Sequence, residues 1–114
     1  MKTIHRPAII VHGGAGRISD EELPQRLEGC KEAALAGWKI LKQAGAALDA
    51  AEAAVVVLED NPLFNAGTGS TLNSLGQVEM DAAIMEGSTL AAGAVAAVQR
   101  IKNPIQLARR VMED

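Results

Sequence analysis

Tyrosine is absent from this chain, and tryptophan, phenylalanine and cysteine occur once each, as Trp38, Phe64 and Cys30. Without aromatics to stack on bases, the chain is a poor platform for single-stranded nucleic acid. A single cysteine cannot close an internal disulfide or anchor a zinc site, which points to a reducing, cytoplasmic setting. An excess of positive charge is also missing. Eleven Lys and Arg stand against fourteen Asp and Glu, for a net charge of −3, so no electrostatic footprint for nucleic acid exists. The basic run Arg100, Lys102, Arg109 and Arg110 is local and reads as a solvated surface. No apolar stretch approaches the roughly 20 residues of a membrane span, and the opening residues do not read as a signal peptide.

What is present is small and apolar. Hydrophobic residues make up 48% of the 114, much of it Ala, Val, Leu and Ile. That excludes disorder by composition. Alanine contributes little, however, when burial is worth about 25 cal/mol per Å². A core built mostly from Ala in so short a chain is marginal. The composition suits one layer of a larger packed body.

Periodicity predicts the order β-α-α-β-β-β-α, which is not the alternation of a Rossmann fold. Residues 8–11 form a β-branched run that ends in Gly13-Gly14 and reads as a buried strand entering a tight loop. Ser19 and Glu22 have the spacing of a capping box. The helix after them carries Leu27, Cys30, Ala34, Trp38 and Leu41 on one face, with Pro24 in its first turn and Gly45 at its end. A second helix spans residues 48–60, with Leu48, Ala51, Ala54, Val55 and Leu58 inward, and Asn61-Pro62 stops it. Residues 63–70 show no period and read as an ordered loop. A hairpin turning at residues 74–77 leads into a strand to Met85. Residues 91–98 are apolar on both faces, which predicts a strand covered on each side. Asn103-Pro104 opens a last helix as N-cap and first helical residue.

Three segments could carry chemistry. In the first, His12-Gly13-Gly14-Ala15-Gly16, glycines let the backbone approach a ligand and leave N–H groups free. A phosphate loop would need GxxxxGK[ST], and an esterase oxyanion loop would need a GxSxG elbow; neither is present. A structural loop beside another active site remains open, as does a plain strand-closing turn. His12 is a candidate base, and a hydrogen-bonded loop residue is the plainer reading. The second is Glu79 and Asp81, two carboxylates on one strand face. They allow an acid/base pair, with a structural role as the plainer alternative. The third is the loop from Leu58 to Gly69. Its first carbonyls are orphaned at a helix C-terminus and carry partial negative charge. Curled back on itself, such a loop can aim main-chain oxygens at a hard cation rather than at zinc.

Taken together, IIVHGGAG, LEDNPLFNAGTGSTLNSLGQVEMDAAIMEG and GAVAAVQRIKNPIQLARRVMED closely resemble the isoaspartyl peptidase/L-asparaginase family, the plant-type asparaginases. The resemblance runs from Pro7 to Asp114. It implies an α/β (α+β) fold: the four-layer αββα sandwich of N-terminal-nucleophile hydrolases, with residues 1–114 as the N-terminal part of the α subunit. Family precursors cut themselves before a threonine, whose hydroxyl becomes the nucleophile and whose amino group serves as base. They hydrolyse L-asparagine and β-aspartyl (isoaspartyl) peptides. By this likeness the nucleophile, the substrate-binding residues and the oxyanion donors lie beyond Asp114, so no catalytic residue is expected here and the chain alone is expected to be inactive. Gly67-Thr68 falls in the cation loop and is not read as the scissile bond.

Residue by residue, the likeness assigns little. Asn65 matches an asparagine that reaches the active site near the nucleophile, and Gly13 and Gly14 match a glycine loop packed against it. Main-chain oxygens of Leu58, Glu59, Asn61, Phe64, Ala66 and Thr68 match the ligands of a structural Na⁺, so side-chain identity there is expected to matter little. Glu79 and Asp81 match family positions without a firm role. No organic cofactor is implied. The implied partners are the rest of the α subunit and the β subunit in an (αβ)2 assembly, and the substrate is a small amide or isoaspartyl dipeptide. Two other readings stand beside this one: a non-catalytic module binding a cation or partner, and an esterase-type fragment using the HGGA loop as oxyanion hole.

Overall fold

The computed structural model describes residues 6–114. His5, which its place near the start of the sequence predicts to lie in a frayed terminus, is outside them. The described residues form an α+β arrangement in the order α1 (Leu23–Lys42), α2 (Ala47–Asp60), β1 (Met80–Met85), β2 (Ala92–Val98) and α3 (Pro104–Glu113). The two strands pair antiparallel. The helix α3 lies against both strands, and α2 packs between α1 and the α3–sheet unit.

α1 opens three residues later than a capping box at Ser19 would place it, with Glu22 instead of Ser19 at the N-cap. The Ser19 carbonyl and hydroxyl accept the Glu22 N–H in a preceding turn, at 3.1 and 3.3 Å. The Glu22 carboxylate turns forward to Arg26 at 3.6 Å instead of back to Ser19, so only half of the box forms. At the far end the helix closes in a Schellman motif. Gly45 N–H donates to the Ile40 carbonyl at 2.9 Å and Ala44 N–H to Leu41 at 3.0 Å. The left-handed residue is Ala44, with φ of 61°, rather than the glycine beside it.

The buried stripe of α1 is not the predicted one. Gly29, Ala33 and Gly37 are buried, whereas Leu27 and Trp38 are exposed. Small residues at i, i+4 and i+8 let two helix backbones close on each other. A Cβ on Gly37 would stand 2.8 Å from the Ala50 carbonyl oxygen of α2. Cys30, Ala34 and Leu41 of the predicted face are half-buried, but glycine carries almost no hydropathy signal, so periodicity weighted toward Leu and Trp misses the innermost positions. On α2 the buried positions are Ala50, Ala54 and Glu59. Leu48, Val55 and Val56 pack onto the core of Ile84, Ile105 and Ala108.

Three predicted strands change. Residues 8–11 belong to no strand among the described residues, with Ile9 half-buried and Ile10 exposed. The hairpin at residues 71–78 reduces to one bridge, Leu72 to Val78. Its turn is nonetheless well made, since the Asn73 side chain accepts the N–H groups of Leu75 and Gln77, both at 2.9 Å. β2 is covered on one face only: Gly93 is buried and Val95 half-buried, while Ala92, Ala94 and Ala96 are exposed. No second layer among the described residues lies on that other face.

Candidate functional site

The predicted glycine loop and the predicted cation loop meet. They share a cleft of about 600 Å³ lined by His12, Gly13, Gly14, Arg26, Phe64 and Asn65, among others. Phe64 holds them together and is only 3% exposed. A Cβ on Gly13 would stand 3.1 Å from its ring, and one on Gly29 would stand 2.6 Å from it. Phe64 therefore sits between the glycine loop and α1; the Gly29 contact has no room for a side chain, and at Gly13 the tighter limit is Cys30 Sγ, 2.5 Å from a Cβ placed there.

His12 takes the plainer of its two roles. Its Nδ1 accepts the Gly14 N–H at 3.0 Å, next to a left-handed Gly14 with φ of 114°. A ring nitrogen occupied in this way shapes the loop and is not free to act as a base. Asn65 is exposed on the cleft, and its side-chain oxygen accepts the Thr71 N–H at 3.0 Å. The oxygen being used, the amide NH₂ is the part left to face a ligand.

The loop after α2 does curl back. Asn61 ends the helix, and its side-chain oxygen accepts the Leu63 N–H at 3.0 Å. The Glu59 carbonyl accepts the Thr68 N–H at 2.7 Å, so residue 68 returns to the helix end. Tightness demands glycine here too. A Cβ at Gly67 would stand 2.5 Å from the Glu59 oxygen, and one at Gly69 would stand 2.5 Å from the Phe64 oxygen. Main-chain oxygens of Glu59, Pro62 and Phe64 thus lie close around this turn, and oxygen donors of this kind suit a hard cation rather than zinc. Not all six predicted oxygens are equally free: those of Leu58, Glu59 and Asn61 accept the N–H groups of Asn61, Thr68 and Phe64. No group of three His, Cys, Asp or Glu side chains among the described residues could hold a metal.

Glu59 departs from the expectation that its side chain matters little. It is 2% exposed. Its carboxylate accepts the Ile105 N–H at 2.9 Å and the Asn103 amide at 3.0 Å. Burial pushes its pKa above the ordinary carboxylate value, and the bonds from Asn103 and Ile105 oppose that rise. Asn103, the predicted N-cap of α3, makes no side-chain cap of its own. Glu59 supplies the capping oxygen from another helix.

Glu79 and Asp81 do not form an acid/base pair. Asp81 accepts the Ala97 N–H at 2.7 Å, beside a register shift between Met80 and Ala82. Ala97 is left-handed, with φ of 52°. Asp81 thus braces a bulge, and Glu79 accepts a long bond of 3.4 Å from Gln99. Arg109 is likewise not plain solvated surface. It pairs with Asp49 at 2.6 Å, with Glu113 at 2.8 Å and with Glu52, which raises its pKa. Sequence reasoning missed Arg26, which lines the cleft with a buried, unpartnered Nε. No motif marks it, because its place depends on where α1 lies.

The class this site defines is one built largely from backbone, with two tight loops flanking a cleft. The sequence model of the Asparaginase family matches residues 5–114, and the chain belongs to that family. Among its relatives, the plant-type L-asparaginase of Pyrococcus abyssi (strain GE5 / Orsay) is 67% identical over 107 residues, covering 93% of this chain and 35% of that protein. The isoaspartyl peptidase/L-asparaginase of Homo sapiens is 57% identical over 108 residues, covering 94% and 35%. That of Danio rerio is 56% identical over 107 residues, covering 94% and 34%. The chain therefore spans about a third of the length of these relatives.

Proposed function

We propose that this chain supplies the glycine-loop and cation-loop side of an N-terminal-nucleophile threonine hydrolase. That enzyme cleaves the side-chain amide of L-asparagine and β-aspartyl peptide bonds. The observation that carries the reading is the shared cleft, in which His12, Gly13, Gly14 and Asn65 come together around Phe64. The names of the relatives supply the substrates.

In this reading the nucleophile and its amino-group base come from residues outside the chain, released by self-cleavage, and assembly is as (αβ)2. The α+β unit described here is an incomplete part of a four-layer αββα sandwich, carrying material from one helix layer and one sheet layer. Its thinnest dimension, 19 Å, supports that, since it equals about one helix layer plus one sheet layer. Within the cleft, Gly13 and Gly14 give close backbone approach to the nucleophile, and Asn65 directs its NH₂ toward the reacting centre. Main-chain oxygens of Leu58, Glu59, Asn61, Phe64, Ala66 and Thr68 would hold Na⁺. The ion would neutralise their converging partial charges and so order the loop that carries Asn65.

Ammonia release from L-asparagine and cleavage of a β-aspartyl dipeptide by the intact protein test the proposal. Hydrolysis of both is expected. The isolated 114-residue chain should hydrolyse neither. An intact, folded protein inert toward both substrates overturns the reading.

A further inference from the structure

Glu59 serves two neighbours at once. Its main chain receives Thr68, at the return of the cleft loop, at 2.7 Å. Its side chain receives Ile105 and Asn103, at the start of α3, at 2.9 and 3.0 Å. Pro104 has no N–H, so Ile105 offers the first free donor of that helix. Asn103 also donates to Asp60 at 3.0 Å, which fixes its amide between two carboxylates of the α2 end. The Gly67 backbone lies directly on Glu59, since a Cβ there would stand 2.9 Å from the Glu59 Cβ. A shift of this one side chain therefore moves the support under the loop.

We propose that the Glu59 side chain is a positioning residue. It clamps the C-terminal end of α2 to the N-terminus of α3 and so sets the path of loop 61–70 and the placement of Asn65. The clamp is local, because α2 and α3 have a second, separate link through Arg109 to Asp49 and Glu52, farther up α2. General docking of the two helices thus does not depend on Glu59 alone. Its relevance to catalysis rests on the hydrolase reading above, whereas the clamp itself does not.

The test is amide hydrogen exchange of residues 61–70 in the intact protein, comparing Glu59→Ala, Glu59→Gln and Arg109→Ala. Truncating a buried acceptor leaves two donors unpaired, so Glu59→Ala should speed exchange of this segment roughly tenfold. Glu59→Gln keeps one acceptor for Ile105 and should fall in between. Arg109→Ala should lower thermal stability while leaving loop exchange unchanged. Sodium titration by ²³Na relaxation gives a second readout, with affinity weakened in the Glu59 variants and not in Arg109→Ala. Equal loop exchange in all three variants overturns the clamp, as does wild-type exchange in Glu59→Ala. If Glu59→Ala does not fold, Glu59→Gln decides: protection equal to wild type counts against the proposal. An unsubstituted protein that binds no sodium would count against the cation reading alone, because exchange still reports on the clamp.

Discussion

Asn65 shows how a single amide divides its work. Its oxygen is committed to the Thr71 N–H, which leaves the NH₂ for the cleft. Asn65→Asp keeps the acceptor and removes the donor. Thermal stability should stay within about 0.5 kcal/mol of wild type, as for surface changes that keep their bonds. If the NH₂ stabilises developing charge, kcat should fall by roughly a hundredfold; steady-state kinetics beside a thermal melt would separate the two effects. Gly67 is a different case, fixed by space. A side chain there collides with the Glu59 oxygen, so Gly67→Val should break the Thr68 return and abolish most activity, with the loss of loop protection visible by hydrogen exchange. Reliance on main-chain path alone would make Glu59→Gln harmless. The buried, doubly bonded carboxylate removes that expectation.

At the scale of elements, two irregular points are held by identifiable partners. Ala44 occupies the left-handed position of the α1 cap, where glycine has no Cβ penalty. Ala44→Gly should therefore stabilise the protein by roughly 0.5–1 kcal/mol, measured by denaturant unfolding of the intact protein. The β1–β2 bulge depends on Asp81, whose carboxylate holds the N–H of left-handed Ala97. Asp81→Ala should cost about 1–2 kcal/mol, because a strained residue loses its charged acceptor; an unchanged denaturation midpoint would show that the bulge holds itself. Helix positions were legible from pattern, and so were Pro24 in the first turn of α1, the stop at Asn61 and the opening of α3 at Pro104. The docking face of α1 was not, because Gly29 and Gly37 act by what they lack.

The molecule as a whole is broad and thin. Its extents are 57 × 37 × 19 Å and its radius of gyration is 15.4 Å, against about 13 Å for a rounded domain of this length. Its surface of 8196 Å² exceeds the roughly 5,900 Å² of a compact monomer of its mass. Exposed apolar residues account for part of the excess: Ile10 is 95% and Leu75 79% exposed. The open face of β2 and the backbone at residues 8–11, unpaired among the described residues, add edge and surface that can pair with other chains. The isolated 114-residue chain is expected to self-associate or to melt without cooperativity. Sedimentation and calorimetry check this, and a monomer with a sharp two-state melt would show a self-sufficient core.

The amino-acid sequence determined the family, through HGGAG, NPLFNAGTGS, EMDAAIM and KNP in that order. It also determined three helices, the last two strands and the ordered loop between α2 and the hairpin. These are local matters, set by periodicity, proline, glycine and turn residues within a few positions of one another. The tertiary structure alone decided which groups meet. It seated Phe64 between two glycines sixteen positions apart, turned Asp81 from a candidate acid into a brace for Ala97, and joined Arg109 to carboxylates of another helix. It also carried the Glu59 carboxylate to a helix that begins more than forty residues later. Such contacts depend on how elements pack across long stretches of chain, and no local pattern encodes them.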